Sequence, residues 1–88
     1  MKRFYYRFSG AVQHVGFRWK LKRLAQRYEV TGFVRNLPDG SVEAQLQGAE
    51  DRIELVLYLL QEDPYIEIEH TEKKELPLQQ EQEFLIVF

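Results

Sequence analysis

An α+β sandwich, with two helices stacked on one face of a mainly antiparallel sheet, is the class this 88-residue sequence predicts. Three observations carry that expectation. Apolar residues alternate with period two in several short runs, they recur at spacings of three and four in two others, and a Pro38-Asp39-Gly40 turn joins two of the extended runs. At this length the chain, residues 1–88, has room for one domain and one core.

The elements follow in order. Arg3 to Ser9 places Phe4, Tyr6 and Phe8 on one face and Tyr5 and Arg7 on the other, the pattern of a half-buried strand. A loop from Gly10 leads into an apolar stripe of Phe17, Leu21, Leu24, Ala25 and Tyr28, which predicts a helix with Lys20, Arg23 and Arg27 on another side. That pattern stops at Glu29-Val-Thr-Gly32. Thr31 to Leu37 and Ser41 to Gln47 read as a hairpin: proline fixes φ and Gly40 after Asp39 permits a positive φ. Gly48 ends the third strand, and Glu50 and Asp51 supply acids for the first turn of a second helix with the stripe Ile53, Val56, Leu57, Leu60. Asp63-Pro64 closes it. Alternation from Ile66 predicts a fourth strand with an acidic face in water, and Leu76 to Gln82 a loop. The continuous apolar run within Glu83 to Phe88 predicts a last strand buried on both sides. The order β-α-β-β-α-β, with one extra strand from the C-terminal half, is the ferredoxin-like arrangement.

Composition excludes several chemistries. The chain has no cysteine, hence no disulfide, no thiolate nucleophile and no Cys-based zinc site. Two histidines, His14 and His70, with no further ligand motif do not suggest a metal site, and no cofactor motif is present. MKRFYYRFSG lacks the apolar core of a signal peptide, and no run approaches a membrane span, so a soluble cytoplasmic protein is expected. A monomer is expected too, with exposed Trp19 or tyrosines open to reading as interface or core cover. The net charge of −2 conceals an asymmetry. Residues 1–38 carry nine Lys/Arg and only Glu29, a net +8, whereas residues 39–88 carry three basic residues and thirteen acids, a net −10. Either most of these charges pair or solvate, or the basic half draws an anion to the loop it contains.

That loop, Gly10-Ala-Val-Gln-His-Val-Gly-Phe-Arg18, joins a strand to a helix N-terminus, where backbone amides are unpaired and the helix dipole is positive. Arg18 falls in the first helical turn, an unfavourable place for a cation unless an anion sits nearby. There it makes sense as a planar fork on a phosphate or carboxylate, or else as an arginine reaching an acid of the second half. Asn36 interrupts strand-forming residues beside the turn and either holds a water near a bound anion or caps the hairpin.

These residues meet a family pattern. GAVQHVGFR resembles the Gly-x-Val-Gln-Gly-Val-x-Phe-Arg signature of acylphosphatases. Gly32-Phe-Val-Arg-Asn36, with Asp39-Gly-Ser-Val-Glu43 beyond it, resembles their second signature, and Phe84-Leu-Ile86 their Phe-x-Ile ending. The resemblance covers nearly the whole chain. It implies metal-free hydrolysis of a small-molecule acyl phosphate to a carboxylate and inorganic phosphate. In that scheme the amides of Val12, Gln13, His14, Val15, Gly16 and Phe17 hold the phosphate with Arg18, and Asn36 positions the attacking water. The substrate's own phosphate is the family's proton acceptor, so no separate base is required.

His14 departs from the pattern, which has glycine there. Three outcomes stay open: the side chain points to solvent and changes nothing, it obstructs the cradle, or its imidazolium assists the anion. The second outcome defines the alternative function, a phosphate-binding or regulatory module with impaired turnover. RNA binding, the third function class, shares the element order but needs aromatics on the central strands, and Ser41 to Gln47 has none. The acidic total opposes nucleic acid as well.

Overall fold

The computed structural model describes all 88 residues. Its elements run β1 (Lys2–Ala11), α1 (Phe17–Arg27), β2 (Thr31–Asn36), β3 (Val42–Gly48), α2 (Glu50–Gln61), β4 (Glu67–Leu76) and β5 (Phe84–Ile86). The sheet order is β4-β1-β3-β2-β5, antiparallel except for β5, which lies parallel to β2. Both helices cover one face, as the apolar periodicities require. No helix is long and apolar enough to cross a membrane.

The alternation in β1 aims Phe4, Tyr6 and Phe8 at the helices, where all three are buried. Tyr6 and Phe8 stack with centroids 5.5 Å apart, and Phe8 meets Phe17, the first residue of α1, at 5.4 Å. Phe17, Leu21 and Ala25 of α1 and Ile53, Val56 and Leu60 of α2 complete the layer between helices and sheet. Burying each large side chain contributes about 1.5–3 kcal/mol. α1 contains no β-branched residue, glycine or proline, so its propensity agrees with its stripe. It ends where Glu29 turns left-handed (φ 60) and the Val30 N–H closes onto the Ala25 carbonyl at 2.8 Å.

Three features of the fold position the loop after β1. A bulge between Ser9 and Gly10 shifts the β1–β4 register. Gly10 sits there with φ 125, and a Cβ on it would lie 2.4 Å from the Glu67 carbonyl oxygen, so only glycine lets the strands stay this close. Second, β1 and β2 both pair with β3, which brings the end of β2 to the same rim of the sheet as the end of β1. Third, the β2–β3 turn is locked as expected: Gly40 takes φ 94, and the Asp39 carboxylate accepts from the Ser41 N–H (3.0 Å) and hydroxyl (2.6 Å).

The sheet face away from the helices carries a polar network. Arg3 is 1% exposed; its Nε donates to Gln45 Oε1 (2.8 Å) and its Nη1 lies 2.8 Å from Glu81, a charge contact at an angle that makes no hydrogen bond. Gln47 accepts from and donates to the backbone of Gln79, so the β4–β5 connection is strapped across this face. Two expectations need correction. β4 begins at Glu67 and not at Ile66, which is buried in the core. β5 spans only Phe84–Ile86 and is buried on one side: it is the sheet's edge, with Phe84 1% exposed under the helices and Leu85 49% exposed on the other face.

Two predictions test this frame. Arg3→Met leaves the Glu81 carboxylate without its partner and lowers the unfolding free energy by about 3 kcal/mol in urea titrations. Most of that loss returns in the Arg3→Met, Glu81→Leu double variant. The second concerns acid. The Ser41 hydroxyl and N–H, and then Arg7, hold the Asp39 carboxyl at about 2, below its ordinary 3.8. The lower value belongs to the folded state, so its stabilisation is complete above pH ~4 and is lost as pH falls through about 2. In unfolding measured from pH 5 to 2, wild type loses an increment that Asp39→Asn never had, and the two curves converge at the acid end.

Candidate active site

A cavity of about 100 Å³ opens where the loop meets α1, lined by Val12, His14, Gly16, Phe17, Arg18, Trp19 and Asn36. Its size is that of roughly three waters of liquid, room for one tetrahedral oxyanion. Both ends of the loop are anchored in the core, Val12 at 1% and Phe17 at 2% exposure. Between them the backbone turns left-handed twice, at His14 (φ 62) and at Gly16 (φ 79), which is the N-cap of α1.

That geometry frees amides. None of the backbone hydrogen bonds made outside the helices and strands is donated by a residue from Val12 to Phe17. The α1 ladder begins only with the Lys20 N–H on the Gly16 carbonyl at 3.0 Å. No side chain caps the helix and no acid stands in its first turn, so the dipole's positive end faces the cavity uncompensated. Free N–H groups, a helix N-terminus and a guanidinium on one small cavity favour an anion of phosphate type.

Each expected residue can now be placed. Arg18 lines the cavity, is half-buried and makes no ion pair; its guanidinium carbon lies 5.3 Å from the Phe88 ring centroid. Asn36 lines it from the end of β2, and its Oδ1 is buried without a hydrogen-bond partner. An unpartnered carbonyl oxygen of this kind is costly unless something polar meets it. His14 is exposed at the rim. Its left-handed φ is the conformation glycine prefers, and histidine holds it at a cost of about 1 kcal/mol.

Gln13 and Val15 do not line the cavity. The Gln13 amide donates to the Leu37 and Ser41 carbonyls, both at 2.8 Å, and so ties the loop to the hairpin that carries Asn36. Val15 packs against the core. His70 stands exposed on β4 opposite Ser9. Two aromatic residues at the site, Trp19 and Phe88, were not among the expected site residues. The signal for Trp19 was its adjacency to Arg18; Phe88 gave none, because only the crossing of the chain to β5 returns it to α1.

The charge asymmetry also resolves. Of the nine basic residues before Pro38, Lys2, Arg3, Arg7, Lys20 and Arg35 have a carboxylate within 4.0 Å. The four that do not, Arg18, Lys22, Arg23 and Arg27, all belong to α1. Unneutralised charge is therefore concentrated on the helix that starts at the cavity.

Known proteins resemble this chain in sequence and in fold. The family model for acylphosphatase matches residues 4–86. An acylphosphatase of Lactiplantibacillus plantarum is 36% identical over 80 residues, 89% of each chain. One of Thermococcus kodakarensis is 51% identical over 51 residues, a match that spans 58% of this chain and 56% of that relative. Among solved structures, acylphosphatase from Bacillus subtilis superposes with a TM-score of 0.92 at 27% identity over the whole of both chains. HypF of T. kodakarensis matches with a TM-score of 0.84 at 35% identity, covering 98% of this chain and 12% of its own.

The His14 backbone yields a prediction. His14→Gly retains the fold and gains about 0.5 kcal/mol or more of unfolding free energy, because glycine adopts this φ without the Cβ penalty. An equal loss in thermal or urea unfolding would show that the histidine side chain stabilises the loop.

Proposed function

The chain belongs to the acylphosphatase family, and from that premise we propose that it hydrolyses acyl phosphates without a metal, with Arg18 and Asn36 as its catalytic residues. Members of the family are hydrolases acting on acyl phosphates. The observation that carries the residue assignment is the cavity shared by the loop, Arg18 and the unpartnered Asn36 oxygen.

The phosphoryl group of the substrate sits in the cradle. Its oxygens accept from the free amides of the loop and from the Arg18 guanidinium, which together offset the charge of the transferring group. Asn36 Oδ1 accepts a hydrogen bond from a water and aims its oxygen at phosphorus. As the new P–O bond forms, the bond between phosphorus and the bridging oxygen breaks and the acyl group leaves as a carboxylate. The water's proton passes to a phosphoryl oxygen, and inorganic phosphate results. A carboxylate is a good leaving group, so no strong general acid is needed. Positioning and electrostatics then supply the rate. A metal ion's electrophilic role is filled here by the guanidinium and the amides.

Turnover is favoured over phosphate binding alone by one feature. His14 keeps the left-handed backbone that a glycine would have and leaves its side chain exposed, so the amides stay available.

Hydrolysis of acetyl phosphate in excess chelator tests the proposal. Wild type is expected to be active and unaffected by the chelator. Arg18→Gln and Asn36→Ala each lower kcat/KM by about 10²–10³-fold, the size of losing one oxyanion donor or the water's positioning. A wild type that binds inorganic phosphate in calorimetry but does not turn over, and gains activity as His14→Gly, would establish the impaired module instead.

A further inference from the structure

We propose that Arg7 is a positioning residue for the reaction: from the open face of the sheet it holds the β2–β3 turn, and with it Asn36, in place beside the loop. The inference rests on the hydrolytic reading above, in which Asn36 aims the water.

Asn36 is the last residue of β2 and pairs with Val42 of β3. Phe8–Val42 is likewise the last pair between β1 and β3. Past that rung β1 runs on from Ser9 to Ala11 beside β4 alone, while the chain from Leu37 to Ser41 turns back. The only backbone hydrogen bonds of Leu37 to Ser41 are internal to the turn. They run from the Leu37 N–H to the Ser41 carbonyl at 2.8 Å and from the Gly40 N–H to the Leu37 carbonyl at 3.2 Å. No ladder therefore fixes the turn against β1 or the loop that follows it.

Two side chains supply what the backbone does not. Gln13 ties the turn to the loop through the Leu37 and Ser41 carbonyls. Arg7 ties it to the sheet. Its Nε donates to the Ser41 hydroxyl at 3.1 Å, and its Nη2 donates to the Asp39 carboxylate, which also accepts from the Ser41 N–H and hydroxyl. Glu72, opposite Arg7 on β4, stands 3.9 Å from Nη1. Ser41, 4% exposed, is the meeting point, its carbonyl held by Gln13 and its hydroxyl by Arg7. A guanidinium suits this place because its donors are fixed relative to one another and meet two acceptors of one turn at once.

Arg7 is not among the residues that line the cavity. Its loss leaves the amides and Arg18 where they are, so affinity for phosphate is kept. What loosens is the turn and the Asn36 oxygen next to it, and a displacement there of about 1 Å is paid in turnover.

Hydrolysis of acetyl phosphate and calorimetric titration with inorganic phosphate, both on the full chain, test the idea. Arg7→Gln is expected to lower kcat about tenfold and to leave the Kd for phosphate within about twofold. Arg7→Lys, which reaches one of the two acceptors, recovers part of the loss. Arg52→Gln breaks an exposed ion pair with Glu29, beyond the C-terminal end of α1, and keeps the wild-type kcat, which controls for a general loss of stability. In an Asn36→Ala background Arg7→Gln has no further effect on kcat, because the group it positions is gone. A loss that persists in that background, an equal loss of phosphate affinity, or a wild-type kcat in Arg7→Gln overturns the inference while the hydrolytic reading stands. Wild-type turnover in Asn36→Ala removes the role of Asn36 in that reading, and the inference with it.

Discussion

Val12 and Phe17 are both inserted in the core, and the chain has only four residues to pass between them. That constraint shapes the whole site. A strand ending on one side of the sheet must reverse into a helix over the same core, and the short span forces left-handed conformations at His14 and Gly16. Amides that a looser loop would pair with neighbouring carbonyls are instead left at the N-terminus of α1. The Phe8–Phe17 contact sets where α1 begins, so the dipole, the free amides and Arg18 share one origin.

Charge is distributed with the same economy. The acidic second half neutralises the basic residues of β1, β2 and the middle of the molecule, many of them through the open face of the sheet. Arg35 meets Glu43 at 2.6 Å there, and Tyr5 donates to the same carboxylate at 3.1 Å. On the helix side Lys20 contacts Asp63, whose carboxyl is held low first by the Tyr65 N–H and then by that lysine. The remaining cations of α1 stand without carboxylates, and like charges at i, i+4, such as Arg18–Lys22 and Arg23–Arg27, disfavour an isolated helix slightly. Packing of Phe17, Leu21 and Ala25 outweighs that, and the molecule keeps a positive helix on an overall negative chain.

His14 and Gln13 illustrate how a signature residue can act through backbone or through side chain. At His14 the fold requires a left-handed backbone and leaves the side chain free, so histidine is tolerated at a modest conformational cost. At Gln13 the side chain is the functional part: it spans from loop to hairpin and fixes the distance between the amides and Asn36. One residue of the loop shapes the cavity through its backbone and its neighbour braces the loop from outside.

The sequence by itself determined what depends on neighbours along the chain. The alternation of Phe4, Tyr6 and Phe8, the stripe from Phe17 to Tyr28 and the Asp39-Gly40 turn were legible because period and turn chemistry are local properties, whereas the roles expected of Arg18 and Asn36 came from the resemblance of their two segments to a family signature. The site's elements were legible for the same reason, since a strand, a tight loop and a helix follow one another directly. What tertiary structure decided involves residues far apart: Gln13 reaching carbonyls 24 and 28 positions away, Arg3 meeting Glu81, β5 taking an exposed edge, and Phe88 returning to Arg18. An apolar run such as Phe84 to Phe88 reads the same at an edge as in the middle of a sheet. Only the chain's crossing from β4 to β5 fixes which faces are covered, because burial belongs to the assembled layers and not to the segment.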